Sequence, residues 1–197
     1  MISKSTNFLT SLMVETGTIQ PDEVEIYNYL LRWLFENITY FIFFVICGLV
    51  FGNILYGLIL YAVIAPLRSF GGGVHAPTKL LCDLFSYGMV VAVTGLVPII
   101  AGYTPMIIWM IIYCISAVVI IRLVPVDCPN KRLSEEQKKR LRKKCLISLL
   151  LISILFFILF YFNIRAYCGI IAVGSLVVSV SDILGVVTDP KSRSAVI

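Results

Sequence analysis

The sequence predicts an all-α protein, a polytopic transmembrane helical bundle of five or six spans with an N-terminal amphipathic helix. Three observations predict it. Of 197 residues, 59% are hydrophobic and 14% charged, against about 25% charged in an ordinary soluble domain. The apolar residues gather into runs long enough to cross a bilayer, which takes roughly 20 helical residues. The charges collect between those runs.

Residues 1–37 read as an N-terminal interfacial segment. Between Pro21 and Glu36, the apolar residues Val24, Tyr27, Leu31 and Leu34 recur at helical spacing, and Pro21 with Asp22 and Glu23 makes a helix start. The pattern fits an amphipathic helix on a membrane surface or a cap on the bundle. Its net acidity leaves apolar burial, and not anionic lipid, to hold it. A basic leader followed by an apolar core and a small-residue cleavage site is missing, so no cleaved signal peptide is expected.

Residues 38–188 read as one membrane-embedded domain. The first apolar run, Ile38 to Ala65, carries no charge and at about 28 residues exceeds one upright span. It fits one tilted helix or two segments broken around Gly52-Asn53. Further spans are expected from Leu84 to Gly102, Thr104 to Ile121, Cys145 to Asn163 and Tyr167 to Val187. Pro98 and Pro105 interrupt them, which packed membrane helices tolerate.

Orientation comes from the loop Pro125 to Lys144, where eight bases face three acids and contribute the +5 that equals the formal charge of the whole chain. The positive-inside rule puts this loop in the cytoplasm. The segment 67–82 and the tail 189–197 then lie on the same side of the cell membrane. The run Lys138 to Lys144 is too short and too poor in aromatics for nucleic acid. Its ordinary meaning is a solvated loop facing lipid headgroups.

Six cysteines, Cys47, Cys82, Cys114, Cys128, Cys145 and Cys168, form no CxxC pair. Cys47, Cys114 and Cys168 sit in or at the edge of apolar runs, where cysteine behaves as a small hydrophobe. No disulfide is expected. One histidine and no usual ligand spacing leave no metal site, and no cofactor is expected.

The chemistry gathers in Arg68-Ser69-Phe70-Gly71-Gly72-Gly73-Val74-His75-Ala76-Pro77-Thr78-Lys79-Leu80-Leu81-Cys82, which holds the only histidine, seven residues before a cysteine. A cysteine attacks as thiolate, a minor species at neutral pH when the pKa is about 8.5. An imidazole in reach can take the proton, and the positive end of a helix can favour the anion. Pro77 suits the first position of a helix, with Cys82 less than two turns in and His75 just ahead. On one straight helix the two would stand about 10.5 Å apart along the axis. Proton transfer therefore requires the chain to fold back, and three glycines with Ala76-Pro77 permit it. Gly71, Gly72 and Gly73 also let a peptide approach, with N–H groups to stabilise an oxyanion. Arg68, the nearest upstream cation, suits a substrate carboxylate or the orienting of the loop. The plainer reading of the same residues is an interfacial histidine, a packing cysteine and a flexible turn.

These residues resemble the signature of the accessory gene regulator B (AgrB) family: an arginine, a glycine-rich turn, a histidine and, seven residues later, a cysteine. Pro125-Val126-Asp127-Cys128-Pro129-Asn130-Lys131 resembles the Pro-x-Asp-x-Pro-Asn-Lys turn of the same family, with Cys128 where many relatives carry histidine. The resemblance implies a membrane-embedded cysteine endopeptidase that matures a short quorum-sensing propeptide. It implies catalysis by Cys82 and His75, with Arg68, Gly71 to Gly73 and Lys131 in the substrate loop. The implied partner is an AgrD-like propeptide, cleaved in its C-terminal part and cyclised to a thiolactone or lactone through an acyl-enzyme. Membrane lipids are the other expected partner, and a homodimer is compatible with so small a bundle. No third catalytic residue stands out: on a helix Asp83 points about 100° away from Cys82. The competing reading is a small peptide transporter without peptidase activity. That reading asks for charges along the spans, where only Asp83 and Asp182, near expected span ends, are found.

Overall fold

In the computed structural model, residues 2–73, 79–126 and 134–188 are described. They fold into seven α-helices and one 3₁₀ turn, in the order α1 (Ile2–Glu15), the turn Pro21–Glu23, α2 (Val24–Val50), α3 (Ile54–Gly71), α4 (Lys79–Tyr103), α5 (Met106–Leu123), α6 (Glu135–Tyr161) and α7 (Arg165–Thr188). No strand occurs among the described residues, and the all-α class is borne out. Six helices, α2 to α7, are long and apolar enough to cross a membrane. The chain forms two compact units, Met1–Phe43 and Phe44–Ile197.

Within the first unit, α1 ends in a turn through Gly17, whose φ of 68° lies in the left-handed region. The N–H groups of Thr18 and Ile19 return to the Met13 carbonyl, which satisfies the end of the helix. The Glu23 carboxylate accepts from the Gln20 N–H at 3.1 Å and fixes the start of the next helix. Asn28 donates to Asn7 and ties α2 to α1. The sequence reading did not separate α1 from the polar start of the chain. It also took Pro21 to Glu36 as distinct from the apolar run after it, whereas α2 is unbroken from Val24 to Val50.

The second unit resolves the first apolar run into two segments. Gly52, at φ 91°, breaks the chain, and the Asn53 side chain caps α3 by accepting from the Leu55 N–H at 2.9 Å. The end of α2 and the start of α3 then cross at glycines. A Cβ on Gly57 would fall on the Phe44 carbonyl, and one on Gly48 would stand 2.8 Å from the Gly57 nitrogen. Small residues that let backbones approach are the usual adhesive between helices in lipid.

α7 is the centre of this unit and packs against α3, α4, α5 and α6. Half of its most apolar window is buried within the protein, against 17 to 33% in the other spans. Its buried stripe, Cys168, Ala172, Ser175, Ser179 and Asp182, is small or polar at alternating spacings of four and three. The facing stripes are larger: Trp109, Tyr113, Ser116 and Ile120 on α5, and Cys145, Leu149, Ile152 and Phe156 on α6. Tyr113 stacks on Phe156 with centroids 4.3 Å apart, and its hydroxyl lies 2.7 Å from that of Ser153.

The helices alternate in direction. At one end, Asn53 donates to the Tyr167 hydroxyl at 2.9 Å, Arg165 donates to the Gly102 carbonyl at 3.3 Å, and Gly169 lies against Val97 and Trp109. At the other end meet the last residues of α3, the chain after α5, the start of α6 and the last turns of α7. The expected loop Pro125 to Lys144 is corrected here, because its basic stretch is helical: α6 starts at Glu135. Ser134 and Gln137 cap it reciprocally, at 3.3 and 3.0 Å. That Ser-x-x-Gln capping box was legible in the sequence.

Candidate active site

The glycine turn lies at the second of these ends. α3 closes with the Gly72 N–H donating to the Arg68 carbonyl. Gly72 and Gly73 follow at φ 86° and 105°, values that side chains rarely permit. Space enforces the same choice. A Cβ on Gly72 would fall on the Val126 carbonyl. One on Gly73 would stand 2.6 Å from Arg68 Nη1, 2.8 Å from Ser181 Oγ and 3.2 Å from Asp182 Oδ1.

The turn is held from its other side by the chain that leaves α5. The Val126 N–H donates to the Gly71 carbonyl at 2.8 Å, and a Cβ on Gly71 would lie 3.4 Å from Val124 Cγ2. Val126 belongs to the Pro125 to Lys131 motif. Two segments far apart in sequence are therefore joined backbone to backbone.

Beneath the turn is a polar cluster inside a membrane bundle. Arg68 Nη1 donates to the Ser181 hydroxyl. Asp182 is 0% exposed, and neither carboxylate oxygen has a hydrogen-bond partner among the described residues. Its Oδ1 lies 4.0 Å, and Cys145 Sγ 3.9 Å, from where a Gly71 Cβ would be. On the rim, Lys144 of α6 lies over the Phe70 ring at 5.6 Å from its centroid, a cation–π contact.

Of the residues expected at the site, Arg68, Gly71, Gly72 and Gly73 are brought together. Cys82 is the fourth residue of α4, half-buried and a free thiol. It sits in the first turn, where backbone N–H groups and the helix dipole favour negative charge. His75, Pro77 and Lys131 lie outside the described residues, as do Asp127 and Cys128. Among the described residues, no group of three or more His, Cys, Asp or Glu side chains could hold a metal ion.

Ser181 and Asp182 were missed as members of the site. Asp182 carried a usable signal, since a carboxylate in an apolar run of spanning length is expensive and marks function by default. Its partner was not legible, because only the packing of α3 on α7 brings Arg68 to it.

Comparison with known proteins identifies the family. The family model described as Accessory gene regulator B matches residues 5–181. An AgrB-like protein of Clostridium perfringens (strain SM101 / Type A) is 28% identical over 172 residues, covering 82% of this chain and 79% of the relative. AgrB-like protein 2 of Clostridium perfringens (strain 13 / Type A) is 29% identical over 148 residues, covering 70% and 68%. No solved structure matches the chain. With six helices able to span a bilayer and a family match over most of its length, this multi-pass membrane protein belongs to the accessory gene regulator B family.

Proposed function

We propose that this chain is a membrane-embedded cysteine endopeptidase that cleaves the C-terminal part of an AgrD-like quorum-sensing propeptide and promotes its cyclisation. Family membership supports the propeptide-processing role. The observation that carries the finer reading is the packed glycine turn, which has Arg68 at its base and leads toward the helix whose first turn holds Cys82. A turn this constrained is unlike a slack linker, and it suits a segment that must hold a substrate backbone.

In the proposed reaction His75 takes the Cys82 thiol proton, and Cys82 Sγ bonds to the carbonyl carbon of the scissile peptide. Backbone N–H groups of the glycine turn stabilise the oxyanion. The C–N bond then breaks, and the leaving amine takes the proton from His75. What remains is a thioester on Cys82 and a released C-terminal fragment. A thiol or hydroxyl within the bound peptide next attacks that carbonyl and gives its proton to His75, which returns it to Cys82 as the thioester opens. Exchange of one thioester for another conserves the bond energy, so thiolactone closure needs no ATP. Arg68 binds a carboxylate or carbonyl of the peptide, and Lys131 assists from the second motif. The positive-inside reading of Lys138 to Lys144 puts this chemistry near the cytoplasmic face, where the propeptide is made.

The test is co-expression with an AgrD-like propeptide, with cleavage read by mass spectrometry. Cys82→Ala and His75→Ala should each abolish cleavage while the protein still accumulates in the membrane. Equal cleavage by wild type and Cys82→Ala would remove Cys82 as nucleophile.

A further inference from the structure

We propose that Asp182 is a positioning residue: the buried counter-charge that holds Arg68 against the glycine turn. The proposal rests on the peptidase reading for its functional consequence, and on geometry alone for the pairing. Three features of the structure carry it. Asp182 is 0% exposed, and both of its oxygens lack a hydrogen-bond partner among the described residues. Arg68 Nη1 and Asp182 Oδ1 both lie within 3.2 Å of the point where a Gly73 side chain would begin. The adjacent Ser181 accepts a hydrogen bond from that same guanidinium nitrogen.

An arginine keeps its charge in any protein environment. In a lipid-embedded bundle a charge without a compensating partner is among the costliest groups to bury. Arg68 and Asp182 stand on α3 and α7, so their attraction fixes one helix end against the other where the turn leaves. Ser181 gives direction to the guanidinium, and Asp182 gives the charge that keeps it there. Gly73 has no side chain to intervene, so the turn backbone rests directly on the pair. Cys145, buried beside Gly71, closes the α6 side, with Lys144 out on the rim over Phe70.

The test uses the full-length protein in detergent and in proteoliposomes, with Asp182→Asn, Arg68→Gln and the double variant. Asparagine keeps the shape of the aspartate and removes its charge. Each single variant removes one charge of the pair, leaving the half-buried Arg68 or the buried Asp182 without the other, and should lower the thermal midpoint, whereas Arg68→Gln with Asp182→Asn should recover most of the loss. Losses that simply add in the double variant would overturn the pairing, and this arm needs no peptidase activity. In the cleavage arm the probe is an AgrD-like propeptide. Asp182→Asn should raise KM about tenfold with kcat within about twofold, the mark of lost substrate binding. A fall in kcat at unchanged KM would reduce Asp182 to a structural residue. If wild type cleaves nothing, the peptidase reading fails, and the midpoints still decide whether Asp182 and Arg68 act as a pair.

Discussion

The two ends of the α3 to α7 unit solve the same problem differently. At the end where α3 and α7 begin, polar groups are spent on holding helices: Asn53 caps α3 and reaches Tyr167, and the exposed Arg165 meets the Gly102 carbonyl. At the opposite end Asp182 is buried without a hydrogen bond from the described residues, beside Arg68 and under a turn that excludes side chains at Gly72 and Gly73. A protein that needed only a stable bundle would gain by replacing that cluster with apolar residues. The cluster lies beside the glycine turn, and the glycine end is the proposed working end.

Substitutions at the two ends should separate accordingly. The largest effect is expected for Gly72→Ala, which combines a left-handed φ with a Cβ on the Val126 carbonyl. A loss of about 3 kcal/mol or more is expected from strain and displaced backbone, together with loss of propeptide cleavage. Gly102→Ala meets no atom within 4 Å and should leave both unchanged, so the two variants compared by thermal melting in detergent sharpen the contrast.

Asn53→Ala comes next, because it removes the cap of α3. About 1 kcal/mol should be lost, with cleavage per folded molecule retained, a combination the glycine end should never give. Between the ends, Tyr113→Phe deletes the bond to Ser153 and leaves the stack on Phe156. About 0.6 kcal/mol is typical of such a bond between membrane helices, measurable as a lowered midpoint. A small effect is expected for Arg165→Ala, within about 0.5 kcal/mol, since its hydrogen bond to the Gly102 carbonyl is exposed. A loss of cleavage from Arg165→Ala with folding intact would break the comparison outright.

Much of the fold was legible because lipid imposes long charge-free runs, and four of the six spans could be read directly from them. Gly52-Asn53 could be read as a break but not as the only choice, since hydropathy does not distinguish a tilted helix from a hairpin. The start of α6 was misjudged for a physical reason: its first turns are basic and lie beyond the apolar run, so only the Ser134 and Gln137 cap announces them. At the site, glycine spacing identified the turn. The contact of Gly71 with Val126 and the approach of Asp182 to Arg68 are long-range products of packing, and no local pattern encodes them.

The central claim is that Cys82 carries the peptide during the reaction. The most direct measurement is intact-protein mass spectrometry of the purified protein mixed with an AgrD-like propeptide. The expected result is an adduct equal to the N-terminal part of the cut peptide, released by hydroxylamine and missing from Cys82→Ala. Cleavage of the same peptide by Cys82→Ala at the wild-type rate would contradict it.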